Sequence, residues 1–449
     1  MEIYNDQPIQ ARMELCEGEY LLTRYHLSDG EATRITVGRG TEWTPLACKE
    51  VYGKAVKTAA ALKCESCLFD LSAAAELGFA GLCAAAEGIC GGSYQKKFSL
   101  TDQVEADMKF YVCGEGWSES DWNIAWELAR SIMMVRNLVN CPSNLLHPVT
   151  FAEKLTGMGQ DLPIETRIYT RDELAEKGME ALIYVGDSSA NPPALAVLRY
   201  NGAPESTERL GLVGKGVTVD SGGYNLKHGD LAGIKGDMAG GAAVAATVRA
   251  LAIAGAKVNV TAVIPTCENR LSDASGLPGD VIGSFSGKTI EVLNTDAEGR
   301  LILADGLGWA IEEEHCTKLL DIATLTGAMW AMLGFVTTGV MASDDGFYKK
   351  LEEAADVSGE RVWRMPAFPE YETLIDSDFA DVRNTSKDGC GSITAGLFLK
   401  RFTKELPWLH LDIAGTADNR GIVWEHQVPG ATGTAVSTMF HMARSMEEK

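Results

Sequence analysis

The chain has 449 residues, 46% of them hydrophobic and 23% charged, the balance of a globular protein with more sequence than one small core needs. Two domains are expected. A formal net charge of −22 argues against nonspecific binding to nucleic acid, whose phosphate backbone is held by Lys and Arg.

The opening stretch Met1–Asp6 has neither a basic region nor an apolar run, and no segment is apolar for long enough to span a bilayer. Neither a signal peptide nor a membrane partner is expected. Residues 1–116 read as a small α/β domain. Tyr20–Tyr25, Arg34–Val37, Cys64–Leu71 and Val104–Cys113 have strand character, and Ala47–Leu62 and Ser72–Cys90 helical character. No catalytic cluster lies here, and Gly114-Glu115-Gly116 punctuates the end. The eleven cysteines are odd in number and scattered, which fits a reduced, cytoplasmic protein better than a disulfide framework. The lone C-x-x-C at Cys64 and Cys67 lacks a second ligand pair and reads as core cysteine.

Residues 117–449 form the expected larger domain. Asp121–Val139 reads as an amphipathic helix closed by Asn140-Cys141-Pro142. Strands are then expected at Leu210–Val213, Val258–Ile264, Thr289–Leu293 and Leu319–Ala323. Helices are expected at Ala239–Ala254 and Arg300–Glu314, and a long loop over Pro265–Asp280. This alternation makes the fold α/β, with a central mixed sheet flanked by helices.

Two polar clusters fall where these strands end. One is GKGVTVDSGGYNLK, running from Gly214 to Lys227 and followed by Asp237; the other is NTDAEGRL, from Asn294 to Leu301. Open α/β sheets place their ligand sites at such carboxyl ends. Asp296 and Glu298 follow a strand, where alternation points both to one side, and Asp220 and Asp237 come from separate loops. Four carboxylates and two lysines are costly to bury unless their charge is compensated, and two divalent ions compensate it. Such ions, roughly 3.5–4 Å apart, activate a water between them. Of the seven histidines only His228 lies in these segments, so a His-rich single-zinc site is not supported.

Blander readings exist for each residue. A lone loop Asp is ordinarily a cap or turn residue, Arg300 fits a salt bridge at a helix start, and Gly222-Gly223 fits a turn. Their coincidence at matching strand ends favours a site. A phosphate-binding loop fails because Arg209 and Gly216 stand where Gly and Ser/Thr are needed, and no G-x-G-x-x-G joins a strand to a helix here. Ser221 lacks the G-x-S-x-G setting of a serine nucleophile.

These residues resemble the cytosolic two-metal leucyl aminopeptidases, the M17 family. NTDAEGRL matches that family's signature. GKGVTVDSGGYNLK, KGDM with the following GGAAV, DIATLTGA and HLDIAGTA match as well, over about residues 120–449. The resemblance implies an aminopeptidase that removes the N-terminal residue of peptides, with two Mn²⁺ or Zn²⁺ ions per subunit. It implies that Asp220 and Glu298 bridge the ions, that Asp296 completes the first site, and that Lys215 and Asp237 complete the second. It implies that Lys227 stabilises the oxyanion and that Arg300 holds a bicarbonate acting as general base. Ile234, Asn294, Thr324, Leu325 and Gly327 are implied to contact substrate, and the relatives imply a homohexamer of two trimers. The chain departs from the family at Val219, where an aromatic is usual, at His228 for proline and at Ile234 for methionine. Rival readings are a dipeptidase such as a Cys-Gly hydrolase, a DNA-binding regulator or scaffold, and, on metal logic alone, a phosphatase.

Overall fold

Strand-forming residues bury alternate side chains along Ala11–Cys16 and Thr33–Gly38, where Met13, Ile35 and Val37 are fully buried. These strands belong to a six-stranded sheet made of β1 (Glu2–Ile3), β2 (Ala11–Cys16), β3 (Thr23–His26), β4 (Thr33–Gly38), β5 (Ser66–Asp70) and β6 (Lys109–Cys113). The order is β1-β6-β5-β2-β4-β3, and every neighbouring pair is parallel except β3 with β4. The computed structural model describes residues 1–26, 32–95, 108–229, 231–386, 388–421 and 424–447. Its contacts separate residues 1–134, 355–360 and 419–432 from residues 135–354, 361–418 and 433–449.

In the first unit, α1 (Pro45–Ala61) starts where Thr44 caps it, its hydroxyl accepting from the Ala47 N–H. The helix expected over Ser72–Cys90 is two helices, α2 (Ser72–Ala75) and α3 (Gly78–Ser93). Gly78 adopts a φ of +63° at the junction, which a helix interior does not allow. The strand expected over Val104–Cys113 is seen from Lys109; its first residues, 104–107, lie outside the described ones. Ala11–Cys16 went unread in the sequence because Arg12 and Glu14 mask its apolar face.

The expected helix at Asp121–Val139 is α4 (Glu119–Asn140). The second unit is built on β7 (Ile164–Tyr169), β8 (Ala194–Asn201), β9 (Leu210–Gly214), β10 (Gly216–Asp220) and β11 (Asn259–Asn269). Further along come β12 (Asp280–Ile282), β13 (Ile290–Val292), β14 (Lys318–Ala323), β15 (Thr338–Ala342), β16 (Val362–Arg364), β17 (Val382–Arg383) and β18 (Trp408–Asp412). The large sheet runs β16-β15-β18-β14-β9-β11-β8-β7, with β10 beside the far end of β11. It is mixed, as expected: β18, β14, β9 and β11 are parallel neighbours, β8 and β7 run antiparallel to theirs, and β15 is antiparallel to β18 but parallel to β16. Its helices include α5 (Pro148–Gly157), α6 (Arg171–Lys177), α7 (Glu180–Gly186), α8 (Ala239–Ile253), α9 (Glu298–Glu312) and α10 (Gly327–Leu333). Val213, Val263 and Leu319 pack with Leu301, Leu307 and Trp309 of α9 in one buried cluster. Among the described residues, no helix is long and apolar enough to cross a membrane.

Three expectations change here. Pro265–Asp280 is not all loop, because β11 continues to Asn269, every residue of it buried. Asp220 ends a strand rather than sitting in a loop. Glu298 opens α9 and does not continue a strand, so strand alternation is not what aligns it with Asp296.

Inside α9, Asp305 is fully buried and accepts from the Leu182 N–H at 2.9 Å and the Phe285 N–H at 2.8 Å. Burial pushes its carboxyl up to about 7, the backbone donors offsetting only part of the shift. An acid whose folded pKa exceeds its unfolded value of about 3.9 holds more protons when folded between those two pH values. Stability from this residue is therefore present at low pH and declines as pH rises towards 7, by at most about 1.4 kcal/mol per pH unit. Asp305→Asn should flatten that decline in urea unfolding measured from pH 5 to 7. Identical slopes for variant and parent would reject the assignment.

Candidate metal centre

β9 and β10 form one line along β11, broken at Lys215. β9 pairs with β11 as far as Val213 opposite Val263, and β10 resumes at Gly216 opposite Thr266. At the break the Lys215 N–H donates to the Ile322 carbonyl at 3.1 Å, and its own carbonyl accepts from the Gly241 N–H at 2.8 Å. With its peptide groups satisfied, the Lys215 side chain turns to the strand ends. Its Nζ lies 2.6 Å from Asp237 Oδ2, 2.9 Å from Glu298 Oε1 and 3.1 Å from the Thr324 carbonyl. Asp237 immediately precedes the N-cap of α8, and Glu298 is the first residue of α9. Two helix N-termini, each with partial positive charge, thus sit beside carboxylates.

Lys227 pairs with Asp220 Oδ2 at 2.8 Å and contacts Asp296 Oδ1. Its side chain is 32% exposed, against 3% for Lys215. Asp220, Asp296 and Glu298 each offer a carboxylate oxygen, and these oxygens lie within 4.8 Å of one another. All five expected ligands and Lys227 are therefore brought together.

Four carboxylates face two ammonium groups, so the cluster carries excess negative charge. Burial, reinforced by Glu298 and Asp237, pushes Asp220 well above the usual carboxylate range. Burial likewise raises Asp237 to about 6, although Lys215 opposes the shift. Asp296 is raised by burial and then by Glu298. Glu298 is also buried, but Lys215 and Lys227 more than offset the burial and hold it below its ordinary value. Both lysines are held above theirs: burial favours their neutral form, but the surrounding carboxylates outweigh it. Asp237 Oδ2 and Asp296 Oδ1 are buried yet accept no well-directed hydrogen bond, although each lies close to a lysine nitrogen. A pocket of oxygen donors with surplus charge and orphaned lone pairs fits hard or borderline divalent cations.

Arg300 is buried on α9. Its Nη1 donates to the Asn384 carbonyl at 2.7 Å, and its Nε has no hydrogen-bond partner among the described residues. Burial lowers its pKa to about 10, with Glu298 and Asp412 opposing the shift. Among the residues expected to touch substrate, Thr324 is engaged within the cluster itself, its hydroxyl donating to Asp237 Oδ1 at 2.6 Å. The Asn294 side chain accepts from the Asp296 N–H at 2.8 Å and so shapes the turn. The Ile234 carbonyl accepts from the Asp220 N–H at 3.1 Å, and its side chain is half-buried. The Leu325 N–H donates to Asp412 Oδ1 at 3.2 Å, and Gly327 begins α10, which Thr326 caps.

Several residues that sequence reasoning passed over prove central. Asn269 donates to Asp220 and to the Thr295 carbonyl. Asn384 accepts from the Leu293 N–H and donates to the Asn294 carbonyl. Asp412 holds Thr326 Oγ1 at 2.7 Å. The signal for Asp412 stood in HLDIAGTA; Asn269 and Asn384 carry none that a single chain displays.

Gly299 leaves room for the lysine. A Cβ at that position would lie 2.6 Å from Lys215 Cε and 2.7 Å from its Nζ. The obstructed atoms end a flexible chain, so Gly299→Ala should fold normally, with α9 gaining up to about 1 kcal/mol in helix propensity. Lys215 should be displaced, and Mn²⁺ affinity measured by calorimetric titration should fall roughly 10–100-fold. An unchanged affinity would show that the glycine is not needed for the approach.

Comparison with known proteins agrees with this geometry. Residues 133–440 match the model of the cytosol aminopeptidase family, catalytic domain. The chain is 39% identical over 422 residues to a probable cytosol aminopeptidase of Clostridium perfringens, covering 91% of this chain and 85% of that protein. It is 38% identical over 449 residues to one of Alkaliphilus oremlandii, covering 96% and 89%. Among solved structures, the bottromycin maturation enzyme BotP superposes with a TM-score of 0.89 at 28% identity, covering 98% of this chain and all of that one. BotP in complex with Mn gives 0.88 at 30% identity, covering 98% and 99%. The chain belongs to the cytosol aminopeptidase family and is a metal-dependent aminopeptidase of the leucyl aminopeptidase type.

Proposed function

We propose that the cluster holds two divalent ions, Mn²⁺ or Zn²⁺, with Asp220 and Glu298 shared between them. Asp296 completes one site, and Asp237 and Lys215 the other. The observation that carries this reading is the surplus of buried negative charge around Asp220, Asp296 and Glu298. The BotP structure with Mn supports the choice of metal for that protein and, by likeness, for this one. Lys215 joins as a ligand only by giving up its proton, since an ammonium has no lone pair. When bound, the ions supply Lewis acidity towards a water and the scissile carbonyl.

The chain's own residues do the rest. Lys227 is the more exposed of the two ammonium groups, so it is the one that reaches the carbonyl oxygen of a peptide and stabilises its developing charge. Arg300, whose Nε has no hydrogen-bond partner among the described residues, would hold a small planar anion, for which bicarbonate is the candidate and which would supply a general base there. Thr324, Leu325 and Gly327, which follow β14, and Ile234 and Asn294 are the residues assigned to contact the first residue of the substrate. A free amino group, neutral and with a lone pair, could serve as a ligand to the held ions, whereas an acylated nitrogen could not. By likeness to relatives named cytosol aminopeptidases, the protein would act in the cytoplasm, and a homohexamer is the assembly proposed.

Two variants separate the roles. Lys227→Ala should lose roughly 10²–10³ in kcat, the scale for one oxyanion donor, and keep its metal. Glu298→Ala should bind fewer than two ions per chain. Metal analysis beside steady-state kinetics checks both, and a Lys227→Ala enzyme with parental kcat would remove that residue from the mechanism. A second test concerns the amino terminus. A free-amine peptide should be cleaved and its α-N-acetylated twin should not, as followed by chromatography of the products; equal cleavage of both would refute amino-terminal recognition by the cluster.

A further inference from the structure

Asn269 ends β11 in register with Asp220 at the end of β10, so the two side chains are neighbours at the same strand ends. It is 4% exposed. Its Nδ2 lies 3.0 Å from Asp220 Oδ1, 3.0 Å from the Thr295 carbonyl and 3.5 Å from Glu298 Oε2. Three acceptors surround one nitrogen, which sets the orientation of the amide. They come from two separate pieces of chain: the end of β10, and the turn that leads into the first residue of α9.

We propose that Asn269 is the positioning residue that sets the spacing of Asp220 and Glu298. The proposal rests on the two-ion reading above, in which those two carboxylates are shared. A neutral amide suits this task. It orients a carboxylate oxygen without cancelling its charge, whereas a lysine or arginine at the same point would compete with a cation. The other carboxylate oxygens are not engaged by the amide: Asp220 Oδ2 pairs with Lys227 and Glu298 Oε1 with Lys215.

The backbone of Asn269 is anchored independently of its side chain. Its carbonyl accepts from Ser221 N and Ser221 Oγ, each at 2.9 Å. Its neighbour Glu268 is fully buried and receives Arg270 Nε at 2.6 Å, Ser189 Oγ at 2.5 Å and Asn191 Nδ2 at 3.2 Å. The strand end is therefore pinned by contacts that a substitution at Asn269 leaves in place. Removing the amide should loosen the two carboxylates and spare the fold.

The test uses Asn269→Ala, with Asn269→Ser as a second variant whose hydroxyl is too short to reach all three acceptors. Mn²⁺ is titrated into the chelator-treated full chain, and the spin coupling between bound ions is followed by electron paramagnetic resonance at saturating Mn²⁺. The parent should bind two ions and show a coupled spectrum. Both variants should bind Mn²⁺ roughly 10–100-fold more weakly and show altered coupling, the scale for losing a hydrogen-bond partner of a metal ligand. Their thermal unfolding in chelator should match the parent's. Parental affinity and coupling in either folded variant overturns the proposal, as does lowered thermal stability in chelator with unchanged Mn²⁺ binding, which marks a purely structural tie. A parent that binds one ion or none overturns the two-ion reading instead, and this inference falls with it.

Discussion

Burying four carboxylates with two ammonium groups at the end of a sheet is the constraint from which the rest of the second unit follows. Taking charge out of water is expensive, and here the cations present do not balance the anions. The chain lowers the cost in ways visible around the cluster. Lys215 and Lys227 each bridge two carboxylates. The N-termini of α8 and α9 stand beside Asp237 and Glu298. The strand line breaks at Lys215 so that the residue satisfies its peptide groups on Ile322 and Gly241 while its side chain turns inward. What these devices leave over is negative charge, which is what a site for divalent cations requires.

Hydrogen-bonding groups outside the cluster complete the frame. Asn269 ties three chain segments together at the carboxylates. Asn384, from a segment about ninety residues beyond the NTDAEGRL turn, accepts from Leu293 N and presents its carbonyl to Arg300. Asp412 holds Leu325 and Thr326 at the end of β14. These residues, from the end of β11, the segment after β17 and the end of β18, form a hydrogen-bonded shell around the cluster. Arg300 stands apart from this pattern. It is a buried cation with one backbone acceptor, and its Nε has no hydrogen-bond partner among the described residues.

Some of this architecture was legible in the chain. Leu210–Val213 and Leu319–Ala323 were read as strands because short apolar runs between turn signals have few alternatives. The polar clusters stood out because carboxylates and lysines are rare among glycines at strand ends. Other parts resisted. The strand Asn259–Asn269 includes Pro265, Glu268 and Asn269, which read as loop, yet all eleven residues are buried. Polar residues there are tolerated because Glu268 and Asn269 each find several partners. The helix at Ser72–Cys90 was read as continuous because alanine-rich sequence favours helix throughout; the break at Gly78 is a matter of backbone conformation.

The sequence by itself determined the inventory of the site. The residue types in GKGVTVDSGGYNLK and NTDAEGRL fix the charges, the possible ligands and the family, because those properties belong to side chains whatever their arrangement. Only the tertiary structure decided how they meet. Asp220 reaches the cluster from a strand end, Asp296 from a turn and Glu298 from the first turn of a helix, so no single periodicity relates them. Asn269 and Asn384 acquire their roles solely from register and from the return of distant chain. Hydrogen bonds between segments tens of residues apart leave no local pattern, and so the residues that hold the carboxylates in place emerge only once the sheet is assembled.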